Sequence, residues 1–146
     1  MKVLKIAAIA VALVAGFYAP TLLKSFSSSS TVKPLDEYCL LSTTACVQQG
    51  VTMTLNVDNA QPLIPAKFDV EWNKSDAEQL VLSLSGREME MGEPKFLLKK
   101  IAPGKYSGEV VLPVCTQESM TWVGELTDGQ STIYPAIKMQ KDKESL

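Results

Sequence analysis

Sulfur is the chemistry this sequence offers most plainly: Cys39, Cys46 and Cys115, with Met89, Met91 and Met120. Soft sulfur donors of these kinds select monovalent copper. Thiols outside the cytoplasm also invite a disulfide, and an odd count leaves one over. Cys39 with Cys46 would close a small loop, whereas either of them with Cys115 would staple distant segments and remove more unfolded-state entropy. The spacing alone leaves all these pairings open. If residues 87–91 are extended, Met89 and Met91 point to one face, as two ligands would need and as two core side chains would equally do. Methionine on a strand is more often packing than ligand.

The chain of 146 residues contains no histidine, which removes the commonest general base and the commonest metal ligand. Serine–histidine and cysteine–histidine nucleophile pairs are thereby excluded, as is any zinc site that needs imidazole. An all-cysteine zinc site would need a fourth thiolate. Glu88, Glu90 and Glu93, interleaved with the methionines in GREMEMGEP, fall on the opposite face and read as a solvated edge. No catalytic residues are expected, and the protein is expected not to be an enzyme. A charged fraction of 21% and a net charge of −2 give no basic field for nucleic acid. No small-molecule substrate is evident either.

Three stretches would have to position this chemistry. Residues 1–23 begin with Met1, Lys2 and Lys5, and the run from Ile6 to Leu23 carries no charge. As a helix it would reach roughly 27 Å, close to one hydrocarbon thickness. Phe17 and Pro20 flank Ala19 in a way that suits signal cleavage poorly, so a single transmembrane anchor is expected. The lysines place the N-terminus in the cytoplasm and the rest in the periplasm, on an inner-membrane protein. The alternative is secretion to the periplasm after cleavage. Residues 24–37 include KSFSSSSTVK and read as a serine-rich flexible spacer. Residues 141–146 read as a disordered tail.

Between them, residues 38–140 have a dominant period of two. Val51, Met53, Leu55 and Val57 alternate with polar neighbours, as do Ala66, Phe68, Val70 and Trp72. Further runs cover Gln79 to Ser85, Arg87 to Met91, Lys95 to Lys100, Tyr106 to Leu112, Met120 to Leu126 and Thr132 to Met139. Pro103-Gly104 and Asp128-Gly129 mark turns. Pro135 suggests an edge strand, because proline cannot donate to a ladder. Seven or eight short strands predict an all-β, antiparallel, immunoglobulin-like sandwich. Trp72 and Trp122 fall on apolar faces.

The stretches Gly86 to Gly92, Gly104-Lys105-Tyr106-Ser107-Gly108, Leu112 to Cys115 and Met120-Thr121-Trp122 resemble uncharacterised membrane-anchored envelope proteins of Gram-negative bacteria. They are more distantly similar to FixH and YtkA-like domains. The resemblance covers roughly Val51 to Leu126. It implies a sandwich fold and a setting near copper handling or respiratory oxidase assembly, although the copper-handling members carry histidines that are missing here. The expected function is a tethered interaction or assembly module that contacts an envelope protein near Trp122 and Pro135. The alternative is a copper-binding accessory protein using Met89, Met91, Cys115 and Met120.

Overall fold

The strand that shows best why this sequence folds as it does is Val51–Leu55, where Val51, Met53 and Leu55 are buried and the threonines between them are half-exposed. A side chain every second position turns inward, so one face is wet and one is dry. The same alternation builds most of the domain. In the computed structural model, which describes residues 1–26 and 33–141 with side chains for 1–18 and 33–141, the chain divides into two units, Met1–Lys33 and Pro34–Leu146.

The first unit holds helix α1, Lys2–Phe26, so residues 24–26 of the expected spacer are helical. Among the described residues no helix is long and apolar enough to cross a membrane, and the expected transmembrane span is not met on them. The uncharged run to Leu23 continues past Tyr18, the last helical residue whose side chain is described. Residues 27–32 of the spacer and 142–146 of the tail lie outside the described residues. The spacer's far end, Leu35–Glu37, is a short 3-10 turn rather than a free linker.

The second unit contains ten strands: β1 Cys39–Leu40, β2 Cys46–Gln48, β3 Val51–Leu55, β4 Ala66–Glu71, β5 Gln79–Gly86, β6 Lys95–Ala102, β7 Lys105–Val110, β8 Ser119–Thr127, β9 Thr132–Ile133 and β10 Pro135–Gln140. They are hydrogen-bonded in one sheet in the order β1-β10-β8-β5-β6-β7-β4-β3-β2, with β9 on β8. This is one barrel-like sheet of ten strands, where seven or eight strands in a two-sheet sandwich were expected. Nor is it wholly antiparallel, since β1 pairs parallel with β10.

The two ends of this path, β1 and β2, are joined covalently by the Cys39–Cys46 disulfide. Around that link the seam is closed by single hydrogen bonds rather than by a ladder. The Gln48 side chain accepts from Tyr134 N at 2.6 Å and donates to the Glu37 carbonyl at 2.9 Å. Leu55 N donates to the Ser42 carbonyl at 2.9 Å. Asp58 accepts from both the N–H and the hydroxyl of Thr43, and these bonds hold its carboxyl below the usual range. Beyond the disulfide, Ala60 adds a parallel bridge to Met139, continuing the cover of β10.

Pro135 is therefore buried and paired with Cys39, not at an open edge. The physical reason is register. Cys39 N and Leu41 N take the carbonyls of Tyr134 and Ala136, so β1 never calls on the N–H that proline lacks.

The expected strand Arg87–Met91 is a loop. Its alternation of methionine and glutamate mimics a strand, but Gly92 has φ +81°, and Arg87 N is spent on the Thr121 carbonyl at 2.9 Å. Glu88 is not merely solvated, because its carboxylate accepts Thr121 N at 2.8 Å. It supplies β8 with an acceptor that a neighbouring strand would otherwise provide.

The GKYSG segment explains itself structurally. At Gly104, φ is +69° and a Cβ would lie 3.0 Å from Asn73 Cα, so glycine alone makes the β6–β7 turn under the β4–β5 arch. Tyr106, fully buried, donates its hydroxyl to the Ala77 carbonyl of that arch at 2.7 Å, with the Ser75 carbonyl at 3.2 Å. Tyr106→Phe should cost about 1–3 kcal/mol, because it strips a buried carbonyl of its donor without opening a cavity. Urea unfolding of the variant checks this, and an unchanged midpoint would show that the arch is held by other means.

Candidate functional site

The predicted sulfur site is distributed between core and loops. Met120, on the inner face of β8, is buried, and its methyl packs over Gly86 beside the Met89 carbonyl. Met89 and Met91 belong to the β5–β6 loop and are half-buried against the core. They are not held at strand spacing, so the shared-face argument for two ligands no longer applies. Cys115 lies in the β7–β8 loop, is free and buried, and donates its Sγ–H to the Gln117 carbonyl at 3.3 Å. Among the described residues no group of three or more histidine, cysteine, aspartate or glutamate side chains could hold a metal ion.

The two expected interaction residues are interior. Trp122 is fully buried in the core and stands opposite Ile137 in the β8–β10 ladder. Its Nε1–H finds no acceptor among the described residues. Pro135 is covered by β1 as described above. Neither presents a side chain to a partner.

What the domain does present is an open apolar groove of about 560 Å³, lined by Leu63, Met91, Glu93, Phe96, Val111 and Pro113 among others. Three connections build it: the β3–β4 loop with Leu63, the β5–β6 loop with Met91 and Glu93, and the exit from β7 with Val111. Leu63 sits at φ +62° with its N–H donating to the Leu112 carbonyl at 2.9 Å. Its side chain remains 64% exposed. Ile64, Val111 and Val114 are exposed on the same two loops.

Strand periodicity could not have found this groove, because all of its lining residues but Phe96, at the start of β6, stand on loops. A different signal was available in the composition. Two of the walls set apolar residues directly against proline, in Pro62-Leu63-Ile64-Pro65 and in Val111-Leu112-Pro113-Val114, and in the third Pro94 stands two residues before Phe96. Proline removes donors and stiffens such loops, and Leu63, Ile64, Val111 and Val114 stand exposed there while Leu112 is buried.

No protein-family model, no curated protein and no solved structure matches this chain.

Proposed function

We propose that the chain is a non-catalytic interaction module of the bacterial envelope, tethered to the inner membrane by its N-terminal uncharged run and binding another envelope protein through its β-domain. The observation that carries this reading is the apolar groove between the three proline-flanked loops. A concave apolar surface left open to water is where association gains most. The Cys39–Cys46 disulfide suits an oxidising compartment such as the periplasm, and Lys2 and Lys5 suit a cytoplasmic N-terminus. Cleavage of the N-terminal segment would leave the domain in the same compartment.

The finer reading of the fold, an immunoglobulin-like domain akin to FixH and YtkA-like proteins, draws support from the run of antiparallel pairings from β2 to β8.

The test is photocrosslinking in native membranes with a benzophenone side chain placed at position 111. Adducts with another envelope protein are expected. Recovery of monomer alone would contradict the reading.

One observation bears on a second reading, monovalent copper binding: Cys115 keeps a free, buried thiol outside the disulfide. Titration of the protein with monovalent copper against a competing chelator tests it, and no binding above background removes it.

A further inference from the structure

Two features of the groove bear on what it would take. Leu63 adopts a left-handed backbone, φ +62°, which glycine or asparagine would adopt with little strain and leucine does not. The same leucine holds its side chain 64% exposed, so little burial offsets the strain. A residue that is both strained and unburied is retained against stability, and such positions gather at ligand clamps. The second feature is charge. Glu93 lines the groove, and Glu90 is exposed three residues earlier on the same loop. Neither is in an ion pair among the described residues. The nearest basic residue in sequence, Lys95, stands opposite Ser83 in the β5–β6 ladder and is not among the groove's lining residues.

Resting on the interaction reading above, we infer that the groove takes an extended segment of a partner protein in which a large apolar side chain stands beside a lysine or arginine. The apolar side chain enters between Leu63, Phe96 and Val111. The cation meets Glu93 at the rim, with Glu90 adding to the same negative field. Leu63 is the clamp, held out by its strained backbone so that it closes over the guest instead of collapsing into the domain. The outlook of the site is thus toward a basic-apolar peptide, as opposed to an acidic one or a lipid chain.

The experiment uses the full-length chain in native membranes with the benzophenone at position 111, alone and combined with Leu63→Asn or Glu93→Lys. Adducts are mapped by tandem mass spectrometry. The expected partner residue is apolar and lies within about three positions of a lysine or arginine. Each variant is expected to reduce the adduct at least tenfold, while Leu63→Asn leaves the thermal midpoint of the domain unchanged or raises it. No adduct from the otherwise unaltered chain overturns the interaction reading and this inference with it. An adduct that persists in both variants, or that maps to an acidic segment, to lipid or to a second copy of this chain, overturns this inference alone. A fall in the thermal midpoint of Leu63→Asn overturns the assignment of Leu63 as a strained clamp.

Discussion

Replacing Cys39 and Cys46 together by serine lowers the stability of the β-domain by about 2.5 kcal/mol, the figure expected for a bridge closing a loop this short. The link spans a sequence separation of seven, so the chain-entropy contribution sits near the low end for native bridges. Its position raises its importance. It joins β1 and β2, the two ends of the strand path, and nothing resembling a ladder runs between them. What remains after its loss is the Gln48 side chain, the Leu55–Ser42 hydrogen bond and the Asp58–Thr43 pair. These are separate hydrogen bonds, two through Gln48, one from Leu55 and two through Asp58, and not a cooperative ladder. The domain should stay folded at 25 °C but melt roughly 10 °C lower. Reductant added to the wild-type protein should reproduce the shift. Equal melting of oxidised and reduced protein would mean that the seam does not depend on the bridge.

The second large effect is expected at Trp122. It is fully buried on β8, which is paired on both sides, with β5 and with β10. Trp122→Ala removes a whole indole from the core and should cost about 3–5 kcal/mol, the usual range for large aromatic truncations. A domain of ordinary stability has about 5–15 kcal/mol in total, so this variant stands near the limit of folding. Trp122→Phe separates the two components of the tryptophan's role. It keeps most of the apolar bulk and deletes an Nε1–H that has no acceptor among the described residues. Deleting an unpaired buried donor returns part of the loss. The phenylalanine variant should therefore fall within about 1.5 kcal/mol of wild type, the usual limit for tolerated apolar swaps. Urea unfolding of both variants checks the pair. A phenylalanine variant as damaged as the alanine variant would mean that the indole N–H holds a bond that matters.

Where side chains alternate over five or more residues, the sequence and the folded domain agree closely. Val51–Leu55, Ala66–Glu71 and Gln79–Gly86 fall where period two puts them, because in each the buried face is repeated often enough to outweigh local accident. The failures have local causes. Strands β1 and β2 are two and three residues long, too short to show a period, and they exist through pairing with distant partners. GREMEMGEP has the alternation of a strand without being one, since its backbone is committed to Thr121 and turned by Gly92. Pro135 read as an edge because proline was weighed alone. Its neighbours on either side supply what β1 needs. The groove is illegible for a related reason: its walls come from three loops and the start of β6, which meet only after the sheet has formed, and only the apolar-proline pairings hint at it.

The account as a whole depends on the β-domain being closed by the Cys39–Cys46 bridge on the oxidising side of a membrane. Trapping thiols in intact cells by acid quench, alkylating the denatured protein and mapping the labels by mass spectrometry tests that directly. Label is expected on Cys115 alone, with Cys39 and Cys46 recovered as a linked pair. Label on all three cysteines would contradict it.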